Sequence, residues 1–194
     1  MYLGFVLASI LACGGGGSST QPLTKSRVDA VAVTPQGQEK DLDAFCEVRK
    51  DAATAPTFSL PPLESAEPPR ENAWTWYSLW ATWCVPCIEE MPLLKQWDVK
   101  LKAEGAPTLI RFVSVDANAA DLRRYTASHP DTPPTLRVEK QESVASWFST
   151  LGLDSAASIP IHIFVDPKGR TRCVRVGAVS EADYGTIKYL VSKP

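Results

Sequence analysis

Two cysteines three positions apart, in Trp83-Cys84-Val85-Pro86-Cys87, have the spacing of a dithiol built for exchange chemistry. If a helix starts here, Cys84 sits at its N-terminus, where unpaired N–H groups and the macrodipole stabilise a thiolate. Cys87, one turn in, can then attack the mixed disulfide that Cys84 forms and release the product. Pro86 fits the first turn, where a missing N–H costs nothing. Two blander readings compete. Half of a zinc site normally needs a second pair of ligands nearby, yet Cys13, Cys46 and Cys173 are scattered and His129 and His162 stand alone. A purely structural cystine closing so short a loop gains little chain-entropy stabilisation. Redox chemistry is the favoured reading, with no metal expected at the pair.

The flanking pattern supplies the elements that hold the pair. Ala73 to Ala81 is apolar on both alternating sets, as in a central strand buried on both faces. After Cys87, Ile88, Met91, Leu94, Trp97 and Leu101 recur at steps of three or four, predicting a helix that ends at Gly105 and is kinked at Pro92. Thr108 to Val115 reads as a second buried strand. Asn118 is placed to cap a helix carrying Leu122 and Tyr125, which His129-Pro130 stops. Thr135 to Val138 reads as extended, and Val144, Trp147, Phe148 and Leu151 mark a third helix closed by Gly152. Ile161 to Val165, the turn Asp166-Pro167-Lys168-Gly169, and Thr171 to Val176 form a hairpin. Ser180 to Asp183 is a capping box before a last helix with Tyr184, Ile187 and Val191 inward. This order of elements gives an α/β fold with a mixed central sheet flanked by helices.

Ahead of that block, Asp41 to Val48 reads as a short ordered segment around a buried cysteine. Residues 55 to 70 hold Pro56, Pro61, Pro62, Pro68 and Pro69, and with Phe58 and Leu60 alternating they read as an edge strand followed by extended loop. The chain's 194 residues suit one domain plus an extension. A net charge of −2 gives no reason to propose nucleic acid as partner. No apolar run is long enough to span a bilayer as a helix.

The first residues, Met1 to Ala12, are apolar and small, end in Leu11-Ala12-Cys13, and run into Gly14 to Gly17 and Ser18-Ser19-Thr20. This resembles a bacterial lipoprotein signal, which implies cleavage before Cys13, lipid on Cys13, and a flexible tether over 13–40. No Lys or Arg precedes Lys25, so the usual positive start is missing, and a short buried apolar strand stays as the alternative. Export implies an oxidising compartment in which disulfides persist.

From about residue 55 onward the chain resembles the thioredoxin superfamily, and within it the TlpA/ResA-like branch of membrane-tethered thiol–disulfide oxidoreductases. The residues that carry the likeness are Leu79-Trp80-Ala81-Thr82-Trp83-Cys84-Val85-Pro86-Cys87, then Glu90-Met91-Pro92, then Ile159-Pro160 before the hairpin. The resemblance implies a thioredoxin-like domain over 73–194 with an N-terminal extension over 41–72. Cys84 corresponds to the attacking and Cys87 to the resolving cysteine. Pro160 corresponds to a cis proline, a form X–Pro bonds adopt at a cost of only about 0.5–1 kcal/mol. With Ile159, Trp83 and Pro86 it is expected to shape where substrate docks. Glu90 corresponds to an acidic residue that raises thiol pKa values and takes the Cys87 proton, with a solvated helix glutamate as its alternative.

Thioredoxin's buried Asp is replaced here by Ser78, which leaves proton relay to Glu90 or water. His162 is expected to be packed or hydrogen-bonded. Some members of the branch carry a second cystine, which would pair Cys46 with Cys173, two free buried thiols being the alternative. The implied function is an extracytoplasmic, lipid-anchored reductase of protein disulfides that needs no cofactor beyond its cysteines. Its partners would be disulfide-bearing proteins, such as an apocytochrome c or a copper-site protein, and an upstream membrane thiol donor. The competing function is a copper- or other metal-handling chaperone, which would need His162 as a third ligand.

Overall fold

The computed structural model describes residues 39–65, 73–106 and 108–193. The signal over 1–12, Cys13 and almost all of the tether over 13–40 lie outside the described residues, as does the 66–72 end of the extension.

The sheet is organised around β2 (Trp74–Trp80), every residue of which is buried. It pairs in parallel with β3 (Thr108–Ser114) and antiparallel with β5 (Ile161–Val165). Beyond β3 lies β4 (Thr135–Arg137), and beyond β5 lie β6 (Thr171–Val176) and then β1 (Val48–Arg49), giving the order β1-β6-β5-β2-β3-β4. Aromatic residues on both alternating sets of β2 meet partners on both faces of the sheet. On one, Trp76 packs on Phe164 at 4.8 Å and on Trp97 at 6.1 Å; on the other, Tyr77 meets Phe58 at 4.7 Å.

The first helix, α1, covers Glu39–Phe45. α2 (Val85–Ala103) buries a stripe of Cys87, Glu90, Met91, Leu94, Trp97 and Leu101, one side chain for each turn or less. It continues through the exposed Pro92 rather than ending there. α3 (Ala119–Ser128) starts where the Asn118 side chain accepts from Ala120 N–H at 2.9 Å, and α4 (Glu142–Thr150) buries Val144, Trp147 and Phe148. Gly152 follows α4 at φ 81°, a left-handed conformation that glycine adopts without steric cost. The Ser180–Asp183 capping box forms around a short 3₁₀ turn that leads into α5 (Tyr184–Val191).

One expected element is not found among the described residues. Residues 55–65 make only isolated bridges, Thr57 to Arg170 and Leu63 to Val138, instead of an edge strand. Pro56, Pro61 and Pro62 lack the N–H that a continuous ladder needs. The edge is taken by β1, held where Arg49 lies opposite Cys173 in the register. Cys46 and Cys173 are joined there by a disulfide with S–S 2.04 Å and Cα–Cα 5.5 Å.

Candidate active site

The redox pair stands where β2 hands over to α2. Cys84 is the residue ahead of the helix, with φ −89° and ψ 94°, and no side chain caps the helix from that position. Its N–H donates to Ala81 O at 3.0 Å, so the turn that presents the sulfur is held by backbone. Val85 and Pro86 open the helix, and Cys84 is bonded to Cys87. Both cysteines are buried, at 4% and 1% exposure, while Trp83 and Val85 on either side of Cys84 are 68% and 61% exposed. The pair is therefore sunk beneath an apolar rim, with the positive end of α2 directed at the outer sulfur.

Behind the pair is a buried polar group. Glu90, one turn along α2 from Cys87, is 5% exposed. Its Oε2 accepts from Val179 N–H at 3.0 Å, and its Oε1 lies 3.4 Å from His162 Nε2. His162 is completely buried in β5, opposite Ser78 of β2, and its Nδ1 accepts from Trp76 Nε1–H at 3.1 Å. Glu90 is thus an inward residue and not a solvated one. His162 is hydrogen-bonded through one ring nitrogen and faces a carboxylate with the other. For the metal-handling reading, His162 Nδ1 is taken by Trp76, and no cluster of three or more His, Cys, Asp or Glu suited to a metal occurs among the described residues.

Beneath the loop before Cys84 is a second network, which the sequence analysis did not single out. Thr82 N–H lies 3.1 Å from both carboxylate oxygens of Asp116, and Thr82 Oγ1 donates to Oδ1 at 2.7 Å. Ser114 Oγ donates to Asp116 Oδ2 at 2.8 Å. Arg137 spans to Asp116 O at 2.8 Å and to Glu64 Oε1 at 2.8 Å. The Arg137 hydrogen bond, joined by the charges of Arg137 and Arg123, outweighs desolvation and holds the Glu64 carboxyl below its ordinary value. The signal available in the sequence was position: Asp116 follows the C-terminal end of a parallel strand, where α/β folds gather functional side chains.

The Ile159–Pro160 peptide bond is cis. Pro160 is buried and Ile159 half-buried, and Pro160 O accepts from Gly177 N–H at 2.9 Å. Ile161 pairs with Leu79, so Pro160 stands at the same end of the sheet from which Ala81 to Cys84 leave β2.

No protein-family model matches the chain. It is 24% identical over 137 residues to the thioredoxin-like protein YneN of Bacillus subtilis, covering 69% of this chain and 76% of that one. Over 138 residues it is 24% identical to the thiol-disulfide oxidoreductase ResA of Geobacillus thermodenitrificans, covering 68% and 72%. A thiol:disulfide interchange protein of the thioredoxin family from Chlorobium tepidum shares the fold, with TM-score 0.50 and 21% identity over 63% of this chain and 82% of that one. The chain is thus similar to ResA-type thiol–disulfide oxidoreductases and has a thioredoxin-like fold. Its chemistry is that of a thiol–disulfide oxidoreductase, with Cys84 and Cys87 as the pair. The cysteine pair lies at the start of α2, Glu90 one turn further along that helix, and the Thr82–Asp116 network beneath the loop before it. Cys46 and Cys173 lie apart from that centre, at the β1–β6 edge.

Proposed function

We propose that this protein is an extracytoplasmic, membrane-tethered reductase of protein disulfides. The observation that carries the reading is the buried Glu90 carboxylate one turn from the resolving cysteine, behind a dithiol that opens onto an apolar rim. In the reduced protein Cys84 attacks one sulfur of a client cystine; that S–S bond breaks and the client's other sulfur leaves as a thiolate and takes up a proton. Cys87 gives its proton to Glu90 and attacks the Cys84 sulfur. The client's second thiolate leaves, and the Cys84–Cys87 disulfide remains. An upstream membrane thiol donor returns two electrons to the pair. Trp83, Pro86, Ile159 and Pro160 frame the client backbone in this scheme, with Glu90 completing the catalytic set. Clients are proteins whose cystine must be opened before a later step, such as an apocytochrome c or a copper-site protein.

The compartment and tether rest on the sequence ahead of the fold: a signal over 1–12, lipid on Cys13, and a Gly/Ser-rich spacer. No helix among the described residues is long and apolar enough to cross a membrane. The second, structural cystine Cys46–Cys173 suits an oxidising compartment.

Equilibration of the Cys84–Cys87 pair against glutathione tests the direction of electron flow. A potential near that of thioredoxin, about −270 mV, is expected for a reductase, and one near about −120 mV would overturn the assignment. Cys87→Ser traps clients as mixed disulfides on Cys84, which identifies them directly.

A further inference from the structure

The group behind the dithiol contains more than the carboxylate that the proposed mechanism uses. An indole nitrogen can only donate, so Trp76 Nε1–H, at 3.1 Å, makes His162 Nδ1 an acceptor. The single proton of the neutral ring must then be on Nε2. That nitrogen lies 3.4 Å from Glu90 Oε1, a close polar approach short of hydrogen-bond geometry, and both atoms are buried with no hydrogen-bond partner among the described residues. The other carboxylate oxygen is already engaged by Val179 N–H. Trp76 thus sets the tautomer, the tautomer aims a donor at Glu90, and Glu90 lies one turn from Cys87 on the buried stripe of α2. Ser78 of β2 is the cross-strand neighbour of His162.

We infer that His162 is a positioning residue for the resolving step, orienting the Glu90 carboxylate so that it can accept the Cys87 proton. The inference rests on the reductase reading above. Only one proton moves, from Cys87 sulfur to Glu90 oxygen; the electron pair freed on sulfur forms the bond to Cys84, and the client sulfur leaves with the pair of the broken bond. His162 does not relay that proton onward, because a second proton on Nδ1 would break the Trp76 hydrogen bond. The charged groups around the pair are few. Arg175 of β6 is the cross-strand neighbour of His162 and donates to Phe45 O and Ala178 O, and Glu90 is the charged side chain that α2 contributes. β2 contributes Trp76 and Ser78, and the 177–180 loop contributes the Val179 N–H.

The test is the reaction of the reduced full-length protein with a model peptide disulfide, stopped by rapid acid quench and followed by mass. A second-order phase reports attack by Cys84, and a first-order phase reports loss of the mixed disulfide. His162→Leu is expected to slow the first-order phase about tenfold at about pH 6, because the Glu90 oxygen loses the polar group it faces. The loss should shrink toward about pH 9, where hydroxide takes over the proton. Trp76→Phe, which frees the tautomer, should slow the same phase, and His162→Gln, which can still offer an N–H, should restore it to within about threefold. Equal slowing of both phases, or equal first-order rates in the Leu and Gln forms, overturns the inference. If the Leu form does not fold, Trp76→Phe and His162→Gln decide: slow and near-normal, respectively, supports the role, and any other pairing overturns it. A wild-type protein that forms no mixed disulfide at all would instead sink the oxidoreductase mechanism, which is a distinguishable failure.

Discussion

Asp116, just past the end of β3, holds Thr82, two positions ahead of Cys84, by both its backbone N–H and its hydroxyl. The hydroxyl bond measures 2.7 Å, and the same carboxylate takes a further hydrogen from Ser114. An anion is suited to this position, because it accepts all of these donors at once and its desolvation is offset by them. The loop that aims Cys84 is therefore anchored to the neighbouring strand and not only to its own helix.

Asp116→Ala should cost about 1–3 kcal/mol, since it leaves donors at Thr82 and Ser114 without their acceptor. It should also slow attack by Cys84 on a disulfide, because the turn that presents the sulfur loses its side-chain anchor. Denaturant titration and the second-order rate with oxidised glutathione measure the two effects. A variant matching wild type in both would show that the backbone turn is sufficient.

The Cys46–Cys173 bond spans 127 residues and ties α1 and β1 to the sheet edge. In the chain-entropy account such a loop is worth about 5 kcal/mol, with measured values for native disulfides usually about 2–5 kcal/mol. A Cys84→Ser/Cys87→Ser form should accordingly melt at a clearly lower temperature under reducing than under oxidising conditions. Identical midpoints would mean that the β1 edge contributes nothing to cooperative unfolding.

Acid stability should be governed in part by Asp166 in the β5–β6 turn. Burial pushes its carboxyl up, but the Arg170 side chain, with the backbone N–H groups of Arg170 and Lys168, holds it below the usual carboxylate value. A depressed folded-state value means that the unfolded chain binds the proton first. The stabilisation is therefore fully present above the unfolded value near about pH 3.9 and is lost as pH falls through the folded one. Asp166→Asn should lower stability at neutral pH and flatten its decline below about pH 4. Unfolding midpoints measured from about pH 7 down to about pH 2 decide this, and parallel curves for the two proteins would remove Asp166 from the account.

Much of this protein was legible without coordinates, because local rules specify it. The period of apolar residues places β2 and α2, Asn118 and Gly152 mark helix ends, and the Cys84–Cys87 spacing at a strand-to-helix junction announces exchange chemistry. The prolines of residues 55–65 were visible too, and their lack of donors is why that stretch bridges the sheet without joining it.

The partners of the buried polar groups were not legible, since those are set by strand order and register. Glu90 and His162 are 72 positions apart in sequence, and nothing local says that a helix stripe and a strand face will bring them to 3.4 Å. Asp116 and Thr82 meet only because β2 and β3 run in parallel with their ends aligned. Sequence alone was enough to identify the reacting sulfurs, because nucleophile spacing and helix entry are short-range properties. Which polar groups stand behind those sulfurs was decided by tertiary packing, because burial leaves each polar atom with only the neighbours that the sheet brings beside it.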